Sequence, residues 1–152
     1  MAEREERFKL VGAVHLFLIK DNQILLLRRA NTGYRDGQYS VPAGHLNGGE
    51  KASVATAREG KEESGVEVNP DKLKIAHIMH RNSETERADY FFTTDAWEGN
   101  PEITEPDKCD DLSWFSLDQL PDNMIPYVKH AIECFRERII YSEFGWIIPD
   151  EK

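Results

Sequence analysis

The chain has 152 residues, 39% hydrophobic and 31% charged, with 19 Lys plus Arg against 28 Asp plus Glu and a formal net charge of −9. That length suits one soluble globular domain, residues 1–152, whose core is large enough to need no disulfide staples. The acidic balance argues against duplex nucleic acid and membrane surfaces as partners, because both need basic patches. A small phosphorylated ligand stays open if a divalent cation offsets the carboxylates.

Two cysteines, Cys109 and Cys134, make neither a disulfide framework nor a zinc spacing. They read as buried thiols in a reduced, cytoplasmic setting. The apolar run Val11–Ile19 is far short of the roughly 20 residues of a spanning helix. Residues 1–7 form a charged N-terminal segment unlike a signal peptide.

Phe8 to Lys20 reads as a central strand, and Gln23 to Arg29 returns from an Asp21-Asn22 turn as a second. Ala30 to Gln38 is a loop, Tyr39 to Val41 a short strand, and Gly44 to Gly49 a glycine loop. Glu50 to Ser64 is predicted as a helix ended by Gly65. Leu73–Arg81 and Asp89–Thr94 are predicted to pair, and Leu112–Phe115 is a further short strand. Pro126 opens a helix reaching about Tyr141, with Val128, Ala131, Ile132, Phe135 and Ile139 on its buried face. The tail, residues 142–152, carries Phe144, Trp146, Ile147 and Ile148 and is expected to dock. The pattern is an α/β fold with a mixed sheet and helices on its faces.

The chemistry concentrates between Gly44 and Val66. Glu59, Glu62 and Glu63 stand at i, i+3 and i+4, so they share one helix face. Such a face can be plain solvated charge. Three hard carboxylates beside a glycine loop also suit Mg²⁺ or Mn²⁺.

This segment resembles the Nudix box, Gly-x5-Glu-x7-Arg-Glu-aliphatic-x-Glu-Glu-x-Gly-aliphatic. Gly44, Glu50, Arg58, Glu59, Glu62, Glu63, Gly65 and Val66 match it, eight positions within 23 residues. Gly60 replaces the aliphatic residue, at a helix cost of about 1 kcal/mol relative to Ala. Ala52, Thr56 and Gly60 then form a small-residue stripe. A bulkier neighbour, from the C-terminal helix or tail, is expected to fill it.

The resemblance extends over most of residues 8 to 140. It implies an α/β/α sandwich and metal-dependent hydrolysis of a nucleoside diphosphate linked to another group. By that analogy Glu59, Glu62 and Glu63, with the Gly44 carbonyl, would hold the metal, and one carboxylate would be the base. Arg58 would orient Glu50 or Glu59. Glu105, in the loop before Leu112–Phe115, would supply an extra ligand or base.

Arg29, beside Arg28 at the end of the second strand, aligns with a phosphate-binding arginine of MutT-like members. Asn123 resembles the base-reading asparagine of those enzymes, or else caps the helix at Pro126. His80, Arg87 and Asp89 flank the predicted hairpin turn and are candidates for the same cleft. His45 is a weaker one. Side-signals of the ADP-ribose, dinucleoside polyphosphate and NADH classes are missing. That favours a (deoxy)nucleoside triphosphate, oxidised or modified forms included, cut to monophosphate and pyrophosphate. An ADP-ribose or nucleotide-sugar pyrophosphatase and a non-catalytic nucleotide sensor are the rivals. A homodimer is compatible with the sequence.

Overall fold

The computed structural model describes residues 5–147. Strand β1, Val11–Lys20, is the centre, and Ala13 through Leu18 are buried along its whole middle. Both faces are therefore covered, as the near-continuous apolar run predicts. Strand alternation divides the side chains. Val14, Leu16 and Leu18 point one way and Phe17 the other.

Helix α1, Ala52–Ser64, covers the first face through Ala55, which packs with Val14. Helix α2, Pro126–Arg136, covers the second through Val128, Ala131 and Ile132, which pack with Phe17. This is the expected α/β/α layering.

Three strands pair directly with β1. Strand β2, Gln23–Arg29, pairs antiparallel at its C-terminal end. It carries the short β3, Tyr39–Ser40, on one side. Strand β4, Ala43–His45, pairs antiparallel at the N-terminal end, placing Gly44 opposite Val14. Strands β5, Lys74–Ser83, and β6, Thr85–Thr94, form a hairpin with Glu84 at its tip. There β6 runs parallel to β1 from Val11 to Leu18. Strand β7, Cys109–Ser116, pairs with β2. The sheet is thus mixed.

Three sequence expectations change. The segment Ala43–His45 is a strand, too short and too glycine-bearing to show alternation. The α1 helix begins at Ala52, so Glu50 precedes it. The second helix stops at Arg136, because the chain closes it with the Ile139 amide donating to the Cys134 carbonyl at 2.9 Å and Arg138 left-handed at φ 61°. That is a glycine-type stop made by an arginine, so no glycine announces it. Ile139 is consequently exposed, not buried. The chain then adds β8, Tyr141–Phe144, parallel to β5, and the Trp146 indole donates to the His80 carbonyl at 3.0 Å. Residues 141–146 are thus held against the sheet edge, whereas Ile147 is exposed. Ile148 and the rest lie outside the described residues.

The stripe beneath Gly60 is filled, but by β1. A Cβ on Gly60 would lie 2.7 Å from Leu16 Cδ2. The neighbour is therefore a core strand residue, not the C-terminal helix or tail. Gly60→Leu is expected to destabilise by about 1–3 kcal/mol in urea unfolding through overpacking. A rise in stability would show that the space is a void.

Candidate active site

Glu50, Arg58, Glu59, Glu62 and Glu63 assemble where α1 crosses β4. Arg58 holds Glu50 and Glu59, each at 2.8 Å, and stands 3.6 Å from Glu62. Both partners suggested for it are therefore engaged at once. One guanidinium fork joins carboxylates eight residues and one residue away, before and along the helix. Glu63 turns inward, and its Oε2 accepts the Ala43 amide at 2.8 Å. Gly44 lies against Glu59 so closely that a Cβ there would overlap its carboxyl group. Glycine is needed at position 44 for this approach.

Glu105, from the loop before β7, faces the same space. Glu59, Glu62, Glu63 and Glu105 line a cavity of about 240 Å³ with Arg29 and Thr32. Burial pushes the Glu63 carboxyl up to about 8, the Ala43 amide opposing and Glu59 and Glu105 adding repulsion. Burial also raises Glu59, against the pull of Arg58.

A second cavity of about 430 Å³ adjoins the first, sharing Arg29 and Glu63. Its walls include Arg29, Arg81, Arg87, Tyr34, Tyr127 and Gly44. Arg29 is pinned by the Tyr34 carbonyl at 2.7 Å and the Thr32 hydroxyl at 3.1 Å. Asp36 organises that loop by accepting the amides of Thr32 and Gly33. Arg87 donates to His45 Nε2 at 3.1 Å. Behind the wall, Arg81 pairs with buried Asp89 at 2.7 Å. Its guanidinium carbon lies 3.6 Å from the centre of the Tyr127 ring. Burial lowers His15 to about 4 and raises Tyr127 to about 12, so both stay neutral near pH 7.

Glu59, Glu62, Glu63, Glu105 and Arg29 therefore meet around one cavity, with Gly44 and Arg87 around its neighbour. Three candidates point elsewhere. Arg28 turns to Asp110 at 2.7 Å, because adjacent strand residues face opposite sides. His80 faces Trp146 and Glu86, while Arg81, one residue on, takes the cavity. Asn123 donates to the Gly37 carbonyl at 3.0 Å and lines neither cavity. Nor does it cap α2, whose N-cap position is Ile125.

Arg81, Tyr34, Tyr127 and His15 were missed. The signal for Arg81 was the hairpin register, which sets it opposite Arg87. Cys109 and Cys134 are buried thiols, as expected.

Among the described residues no three His, Cys, Asp or Glu groups form a finished metal cage. Glu59 Oε1 is turned to Arg58 and Glu63 Oε2 to Ala43. The donor set nevertheless fits Mg²⁺ or Mn²⁺. Each carboxylate keeps a second oxygen, and Mg²⁺ commonly takes only one or two protein carboxylates, with substrate phosphate and water completing its shell.

A family model described as NUDIX domain matches residues 9–136. The chain belongs to the Nudix family. It is 32% identical over 114 residues to "NAD-capped RNA hydrolase NudC" of Vibrio parahaemolyticus, covering 67% of this chain and 37% of that protein. It is 29% identical over 144 residues to "ADP-ribose pyrophosphatase" of Methanocaldococcus jannaschii, covering 88% of this chain and 73% of that one. The chain thus spans little more than a third of the NudC relative's length. The MutT NUDIX hydrolase structure from Burkholderia pseudomallei superposes at a TM-score of 0.75 and 23% identity, over 83% of this chain and 98% of that one, which establishes a shared fold. Among the described residues no helix is long and apolar enough to cross a membrane.

The raised Glu63 carboxyl gives this Nudix site a pH signature. The folded protein keeps that proton between 4.5 and 8, where the unfolded chain has released it. Its contribution is complete below 4.5 and is lost as pH rises toward 8. His15 acts oppositely, adding stability as pH rises from 4 to 6.5, and is spent above that. The metal-free protein is expected to lose up to about 2 kcal/mol between pH 6.5 and 8 in urea titrations. Glu63→Gln should abolish the decline. A flat profile for the native protein would contradict the raised Glu63 carboxyl.

Proposed function

We propose that this chain is a metal-dependent pyrophosphohydrolase that cleaves a nucleoside diphosphate linked to another group. The observation that carries this reading is the meeting of an acidic and an arginine-lined cavity at Glu63 and Arg29. A polyphosphate needs both, cations on the carboxylates and donors on its remaining oxygens.

Glu59, Glu62 and Glu63, with the Gly44 carbonyl, would hold Mg²⁺ or Mn²⁺. Such a cation supplies phosphate charge neutralisation, a water of lowered pKa and stabilisation of the leaving oxygen. Arg58 fixes Glu59 in place and offsets the repulsion among Glu50, Glu59 and Glu62. Glu105 faces the glutamates from the opposite loop and is half-exposed, which suits a carboxylate that takes the proton of the attacking water. Arg29 and Arg87 bind phosphate oxygens, and the larger cavity takes the remainder of the nucleotide.

A (deoxy)nucleoside triphosphate, giving monophosphate and pyrophosphate, is the first substrate reading, suited by the MutT-like box. Asn123 no longer supports it, since it stands away from both cavities. A second reading, ADP-ribose or another dinucleotide-like diphosphate, is favoured by what the two sequence relatives are named for. One panel separates them, covering canonical and oxidised triphosphates, ADP-ribose, nucleotide sugars and NAD with Mg²⁺. Pyrophosphate release supports the first reading, and two monophosphate products support the second. Hydrolysis of nothing in the panel would leave a nucleotide sensor. Glu62→Gln is expected to cut turnover by ~100-fold or more with the fold intact, a loss typical of a key charged group. Near-native turnover would contradict the site assignment.

A further inference from the structure

Three arginines line the larger cavity, and their partners differ in charge. Arg29 binds a carbonyl and a hydroxyl, and Arg87 an imidazole nitrogen. Both retain their net charge, which suits phosphate. Arg81 spends Nε and Nη2 on Asp89, at 2.7 and 3.3 Å, and Asp89 is wholly buried. Its charge is cancelled, and Nη1 is the nitrogen left uncommitted. What Arg81 offers is a directed donor with little net charge.

The arrangement around it is fixed from four elements. Tyr127 of α2 lies under the guanidinium plane. The Tyr127 hydroxyl donates to His15 Nε2 at 3.2 Å, and His15 of β1 donates from Nδ1 to the Tyr90 carbonyl at 3.4 Å. His15 also stacks on Phe91 of β6, centroids 4.2 Å apart. A buried ion pair is seldom the most stable filling of such a space, since apolar residues of similar size do as well. A braced donor at a cavity wall is what a recognition site needs. Tyr34, half-exposed at the same cavity, adds an aromatic face. Planar groups and one donor match a planar ring bearing an acceptor.

We propose that Arg81, held by Asp89 and Tyr127, reads the nucleobase of the substrate and selects bases with a carbonyl at the contacted edge over bases with an amino group there. This rests on the nucleotide-hydrolase reading and adds the base class to it. Arginine has no acceptor, so an amino group at that edge meets donor against donor. A phosphate in place of the base would instead gain from net charge, which Asp89 removes.

The test is calorimetric binding of GMP, IMP and UMP against AMP and CMP to the wild-type protein, with turnover of the matching triphosphates and diphospho-sugars measured in parallel. The carbonyl-bearing bases are expected to bind about 10-fold tighter, the size of one hydrogen bond made on one base class and left unmade on the other. Arg81→Lys keeps the charge pair with Asp89 but loses the fork, and is expected to erase that ratio through Kd and KM. Should Arg81→Lys fail to fold, Arg81→Met with Asp89→Leu removes both charges together and is expected to erase the same ratio.

Equal wild-type affinities for the two base classes, no binding of any mononucleotide, or an equal loss across all bases in the variant overturns the inference. The last outcome would make Arg81 structural or a phosphate ligand. If the base preference holds while no substrate is cleaved, the hydrolase reading fails and the base contact stands.

Discussion

Glu50, just ahead of helix α1, and Glu59 and Glu62 upon it can stand close together because Arg58 stands among them. It contacts two of them at 2.8 Å and the third at 3.6 Å. Without that cation the stretch would hold three neighbouring carboxylates beside a fourth, Glu63, that is half-buried. The rest of the site follows from this arrangement. With Arg58 drawing Glu50 and Glu59 together, Glu63 is left to face β4, where the Ala43 amide receives it. The same packing brings Glu59 against Gly44, which is why β4 carries no side chain there.

The fold turns this local arrangement into a site with two different walls. β1 pairs with β4 on one side and with β6 on the other, so the glutamate-bearing helix and the arginine-bearing hairpin lie around the same strand. Arg29, at the end of β2, sits where the two cavities meet. The net charge of −9 therefore says little about ligands. The carboxylates that line the smaller cavity are a local cluster opposite fixed arginines.

Legibility in the sequence tracked the range of the interactions. The box residues lie within 23 positions, so their spacing on one helix and its glycine stop could be read directly. Choices between adjacent strand residues could not. Arg28 and Arg29, or His80 and Arg81, differ only in which face they present, and that depends on register across the sheet. Arg81 carries no signal of its own in the sequence, since its partner Asp89 is on another strand and Tyr127 on a distant helix. The early end of α2 was hidden for a related reason. Arg138 takes a backbone conformation that sequence assigns to glycine, and Ile139 and Ile140 continue an apolar pattern that the helix does not use.

The central claim is that the carboxylate wall and the arginine wall are two halves of one site, each completed by a polyphosphate and its cation. The most direct measurement is Mn²⁺ affinity by electron paramagnetic resonance, with and without a non-hydrolysable nucleoside triphosphate analogue. The analogue is expected to tighten Mn²⁺ binding by about 10-fold or more, because substrate oxygens complete a shell that the protein leaves open. Equal Mn²⁺ affinity in the two conditions would mean that metal and nucleotide do not share the site, and would contradict the account.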